Sequence, residues 1–202
     1  MTDVVVDFMT LIGFNLGFAA LLGIALGRSG LLDNMKGDFT DWIRYSIGIV
    51  LFGIMSLVGS IASIQYEGAM LNVRDGGPIY GGLWFGPIIG IGAAIIGSVY
   101  RFSLGGATVI PCCLATIIAG VVSGIIWYFY REKITVVIAT LIAVGLSIVH
   151  IVLLILLTPN NFGWYLVSET PTGIGILILV PLSVLIFSWC YQRSKQAVAK
   201  KQ

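Results

Sequence analysis

Six long apolar runs joined by short polar links fill residues 4–191, and they leave few folds open. The runs cover residues 4–27, 42–64, 76–100, 107–130, 134–157 and 173–191. A helix of ~20 residues crosses the hydrocarbon core of a bilayer. A backbone in lipid must satisfy its own hydrogen bonds, so such runs become helices. Only 10% of the chain is charged and its mean hydropathy is +1.02, against about 25% charge in a soluble domain. No water-facing surface can be built from so little. The sequence therefore predicts an all-α, polytopic membrane helix bundle of about six spans, a single domain over residues 1–202, with the lipid bilayer as its main partner. Asp3 and Asp7 precede the first cation, Arg28, which is the wrong start for a cleaved signal.

The third run is the irregular one. Pro78 and Pro87 interrupt it and Pro111 opens the fourth, so broken or kinked helices are expected around 76–112. Small residues recur there at every fourth place. Gly82, Gly86, Gly90, Ala94 and Ser98 form one row; Cys112, Thr116, Gly120 and Gly124 form another. A spacing of four keeps residues on nearly one helix face, where another backbone can come close. With six crossings, both termini share a side with the loops at Arg74 and at Arg131 and Lys133. That side then holds most of the Lys and Arg, and the positive-inside rule puts both termini in the cytoplasm of a multi-pass cell-membrane protein.

No catalytic constellation is present: no Ser-His-Asp arrangement, no H-E-x-x-H, no phosphate loop and no nucleotide fingerprint. The expectation is a protein that is not an enzyme, with no cofactor. Cys112, Cys113 and Cys190 give neither a disulfide framework nor zinc spacing, so no metal is expected. A net charge of +2 without a basic patch excludes nucleic acid. His150, the single histidine, has no carboxylate near it in sequence and reads as a hydrogen-bonded packing residue.

Arg74 and Arg101 differ from the rest. Arginine beside apolar spans is costly and usually has a partner. Snorkelling to the headgroups explains Arg101 alone; the pair points to a site for a small anion, because guanidinium forks match carboxylates. The start of the fourth helix adds free N–H groups, and Thr108, Cys112 and Thr116 share one of its faces. A straight helix between the two arginines would hold them ~40 Å apart. They meet only if the segment between them is broken or re-entrant.

At these residues the sequence resembles the LytS-type five-transmembrane receptor domain, the membrane sensor of LytS/YpdA-like histidine kinases. The resemblance rests on Asn72-Val-Arg74, Gly81-Gly82-Leu83, Gly86-Pro87, Gly90, Gly97, Arg101, Gly105-Gly106, Cys112 and Thr116-Ile117 with Gly120 and Gly124. It is sharp over residues 72–124 and diffuse elsewhere. It implies a receptor for small extracellular carboxylates of the pyruvate class, with Arg74, Arg101 and Cys112 in ligand recognition and Asn72, Thr108 and Thr116 beside them. A serine commonly follows that cysteine by three places; here Ala115 stands there, with Thr116 next. The chain stops shortly after its last run, so no soluble output domain is expected, and signalling would go through a separate kinase or response protein. The alternative is the substrate-binding membrane subunit of an energy-coupling-factor importer, which would dock transporter subunits on the face of Ala19, Gly23 and Gly27. A homo-oligomer is compatible with either.

Overall fold

The computed structural model describes residues 2–33, 35, 39–61, 63–66, 69–71, 73–170 and 172–200. Its long helices are α1 (Thr2–Ser29), α2 (Phe39–Ile61), α5 (Val109–Tyr130), α6 (Val136–Leu157) and α8 (Thr172–Ala199). Each of these five is long and apolar enough to cross a membrane. Between α2 and α5 lie a small antiparallel hairpin, β1 (Ile64–Tyr66) with β2 (Ala69–Leu71), and two shorter helices, α3 (Gly76–Phe85) and α4 (Pro87–Ser103). The short helix α7 (Phe162–Ser168) sits in the polar loop before α8. The predicted helical class holds, and so does the predicted break in the third apolar run.

The break is sharper than a kink. Gly86 has φ +101°, a backbone conformation that side chains other than glycine rarely adopt. Pro87 follows at the first position of α4, where a missing N–H costs nothing. The chain reverses on this turn. A β-carbon on Gly90 would stand 2.6 Å from the Cα of Gly82, although eight residues of continuous helix would separate them by ~12 Å. Gly48 and Gly53 of α2 face Ile89 and Ile96 of α4, so those two helices run parallel. Gly59 of α2 instead meets Arg74, and Gly77 meets Ser56, so α3 runs the other way. α3 and α4 thus enter the bundle and leave it at the same end.

That geometry changes the count of crossings. The third run returns to its starting side, leaving five. Gly23 packs on Phe187 and Gly27 on Tyr191, so α1 and α8 run parallel, and the start of α1 and the end of α8 lie at opposite ends of the bundle. This revises the expectation of both termini on one side. It also occupies the face of Ala19, Gly23 and Gly27 expected to dock importer subunits, because α8 covers it.

The cations segregate accordingly. Arg28, Arg44, Arg131, Lys133, Arg193, Lys195 and Lys200 all belong to the end that holds the close of α1, the start of α2, the α5–α6 turn and the close of α8. Lys36 and Lys201 lie outside the described residues. Among the described residues, the opposite end has only Arg74 and Arg101, both buried. Asp33 ties the α1–α2 link to α8, accepting from the Tyr191 hydroxyl at 2.6 Å and pairing with Lys195 at 2.8 Å.

The core is an aromatic cluster. The rings of Tyr80 and Phe187 stack at 4.6 Å, and Phe52, Phe85 and Tyr191 close around them. Trp84 donates its indole N–H to Ser188 Oγ at 2.9 Å. The tip of the α3–α4 hairpin is thereby fastened to α8.

Candidate functional site

α5 is the backbone of the site. Gly120 meets the Gly90 carbonyl, and Gly124 meets the Cα of Pro87, each at 2.5 Å from a notional β-carbon. These approaches seat the hairpin on α5 without intervening side chains. The predicted small-residue rows are therefore the contact surfaces of α4 and α5. Because α3 is shorter than α4, Arg74 arrives at α5 deeper in the bundle than Arg101 does.

Each arginine finds a threonine, Thr116 within α5 and Thr108 at its N-cap. Arg74 donates from Nε to Thr116 Oγ1 at 2.9 Å. Arg101 donates from Nη2 to Thr108 Oγ1 at 2.8 Å and from Nη1 to the Gly105 carbonyl at 2.6 Å. Thr108 and Thr116 are two turns apart on the same face, with Cys112 between them. The thiol of Cys112 has Arg74, His150 and Arg101 as electrostatic neighbours. The structure thus brings Arg74, Arg101, Thr108, Cys112 and Thr116 to one buried strip of α5. Asn72 lies outside the described residues. Ala115 is buried beside the strip, and the neighbouring Thr116 hydroxyl is engaged by Arg74 and Asp75.

Two further residues complete the cluster. The Thr116 hydroxyl lies 2.6 Å from Asp75 Oδ1 and 2.9 Å from the Cys112 carbonyl; its single proton goes to the carboxylate, the charged and closer acceptor. Asp75 Oδ2 lies 2.6 Å from His150 Nδ1. An ionised carboxylate can only accept, so Nδ1 carries the proton. Asp75 Oδ1 is also 3.8 Å from Arg74 Nε. A continuous chain runs Arg74–Thr116–Asp75–His150, joining the start of α3 to α5 and α6. The sequence reading of His150 as hydrogen-bonded was right, but its partner is Asp75, 75 positions away in sequence. The signal for Asp75 was its place directly after Arg74 at the head of a broken helix.

The donors left over define what the cluster can do. Arg74 Nη1 and Nη2 and Arg101 Nε are all buried without a protein partner. Buried donors left unpaired cost about 1–3 kcal/mol each, more when charged. Among the described residues no carboxylate pairs with Arg101. A cavity of about 530 Å³ lies elsewhere, at the cationic end beside Asp33, Trp84, Trp127, Arg131, Tyr191 and Lys195.

Comparison with known proteins bears on this arrangement. The family described as the 5TMR of 5TMR-LYT matches residues 31–193. The sensor protein LytS of Bacillus subtilis (strain 168) is 27% identical over 191 residues, covering 85% of this chain and 32% of its own length. The sensor histidine kinase YpdA of Escherichia coli (strain K12) is 36% identical over 76 residues, 37% of this chain and 14% of its own. The sensor histidine kinase BtsS of the same organism is 30% identical over 77 residues, 38% of this chain and 14% of its own. No solved structure matches. The chain spans about a third or less of the curated relatives it matches. The expectation of a protein that is not an enzyme is overturned here, since YpdA and BtsS are histidine kinases by name. The membrane part had no means of showing this: a helix bundle shaped for lipid carries no phosphoryl-transfer residues, and most of each relative's length lies beyond the match.

Proposed function

The chain belongs to the LytS-type five-transmembrane receptor family, and from that premise we propose that its membrane sensor domain binds a small carboxylate of the pyruvate class between Arg74 and Arg101. The observation that carries this reading is a buried Arg101 with no carboxylate partner among the described residues, two α5 turns from a second buried arginine whose Nη1 and Nη2 are free. Binding supplies acceptors to donors that otherwise have none. The signal leaves along α8 to a histidine kinase module, whose response regulator is the downstream partner. No observation favours the importer alternative.

Pyruvate titrated into the purified protein in lipid nanodiscs should bind saturably. Arg101→Ala should weaken it by about 10- to 100-fold, the worth of a charge-assisted hydrogen bond, with little change in thermal unfolding. Absence of pyruvate binding, or equal affinity in Arg101→Ala, would remove the proposal.

The cationic end faces the cytoplasm in this reading, by the positive-inside rule, and the arginine site faces outward. A cysteine at exposed Phe102 should therefore be labelled by an impermeant maleimide on intact cells, and one at Lys200 only after permeabilisation. The reverse pattern would invert the assignment.

A further inference from the structure

The strip that holds the arginines also holds a nucleophile. Cys112 is buried on the face of α5 between Thr108 and Thr116, so it stands between the hydroxyls that Arg101 and Arg74 bind. Its thiol is within hydrogen-bonding reach of the His150 imidazole. Asp75 holds that ring, with Oδ2 at 2.6 Å from Nδ1, and Nε2 is buried with no nitrogen or oxygen partner. A thiol, an imidazole beside it and a carboxylate that orients the imidazole form the arrangement that activates a nucleophile. Gripping a carboxylate needs the arginines; it does not need a nucleophile with a base at its side. We infer that Cys112 Sγ adds to the ketone carbon of a bound 2-oxo acid and forms a reversible hemithioketal, which selects 2-oxo acids from other small carboxylates. This rests on the reading of the arginine strip as an anion site.

The step balances with no oxidant and no leaving group. The bond from sulfur to hydrogen breaks and a bond from sulfur to the ketone carbon forms. The carbonyl π pair becomes a lone pair on oxygen, and that oxygen takes a proton. The thiolate is the attacking form, so a proton must travel from sulfur to oxygen. His150 accepts one from the thiol and gives one to the oxygen, and it ends in the protonation state in which it began. The adduct keeps its carboxylate free to occupy Arg74 Nη1 and Nη2, which have no protein partner and form a fork that fits two oxygens. Because nothing is expelled, the reverse step restores thiol and ketone, as a receptor that must release its ligand requires.

Pyruvate and oxamate separate the addition from the grip. Both carry a carboxylate next to a carbonyl and have the same number of heavy atoms, but the amide carbonyl of oxamate resists addition. With the full chain in nanodiscs, Cys112→Ser should lower the ratio of pyruvate affinity to oxamate affinity by at least about tenfold; Cys112→Ala is the second variant should the first not fold. Pyruvate carrying an NMR-active carbon at its ketone position reads the adduct directly. In the wild type the bound resonance should leave the ketone region for that of saturated carbon, at a position distinct from the hydrate of free pyruvate and absent in the Cys112 variant. A bound ketone resonance that stays in place overturns the inference, whatever the affinities are. So does an affinity ratio unchanged in a folded Cys112 variant, and in both cases the anion site itself survives. If the wild type binds neither pyruvate nor oxamate, the anion site falls and the inference falls with it.

Discussion

Asp75→Ala is expected to destabilise the folded protein by roughly 3–5 kcal/mol, the usual cost of removing one partner from a buried charge cluster. Asp75 accepts from Thr116 and His150 and stands 3.8 Å from Arg74 Nε. Without it the two arginines keep their charge with nothing to offset it, and His150 Nδ1 loses its acceptor. Thermal unfolding followed by tryptophan fluorescence in detergent would measure the loss. The companion variant decides the cause. Arg74→Met removes a buried cation with two unpaired Nη groups and keeps the volume of the side chain. It should leave stability level or raised while abolishing carboxylate binding. In the Asp75→Ala background it should recover a large part of the lost stability, since one uncompensated cation is gone. If Arg74→Met and Asp75→Ala simply add, the two residues are not coupled and the charge argument fails.

The second large effect concerns the hairpin. In Gly90→Val the new β-carbon would stand 2.6 Å from the Cα of Gly82, 2.9 Å from its nitrogen and 3.0 Å from the Gly120 carbonyl. All three are backbone atoms, so no side chain can rotate away. Overpacking of this kind costs about 1–3 kcal/mol or more. Here it also pries α3 and α4 from α5, which separates Arg74 from Thr116. Both stability and pyruvate affinity should fall. Gly13→Val is the control, because nothing lies within 4 Å of the position a β-carbon would take there; its effect should stay within about 0.5 kcal/mol. Comparable losses in the two variants would mean that the close approach of α4 to its neighbours is not what holds the site.

Much of this arrangement is visible in the residues themselves. Apolar runs of helical length fix the class, and the rows through Gly90 and Gly120 mark the faces that meet. Arg74 and Arg101 stand out because apolar surroundings make a guanidinium conspicuous. The reversal at Gly86 is less legible. A Gly-Pro step is compatible with a kink as well as with a turn, and a run of this length can cross a bilayer, so the third segment reads as a span. Two of the expectations about topology inherit that reading. Asp75 and His150 are invisible as a pair for a different reason: α3, α4 and α5 intervene, and only the packing of α6 brings the imidazole back to the head of α3. The kinase assignment of the relatives leaves no mark at all on a segment built to live in lipid.

The hairpin turn at Gly86 has a consequence for everything downstream of it. A segment that dips in and returns leaves the number of traverses odd; the same residues drawn out into one rod of nearly thirty would make it even. Each later helix would then point the opposite way, and Arg131, Lys133 and the basic face of α8 would be carried to the outer leaflet. The handedness of half the molecule in its membrane thus hangs on one residue without a side chain.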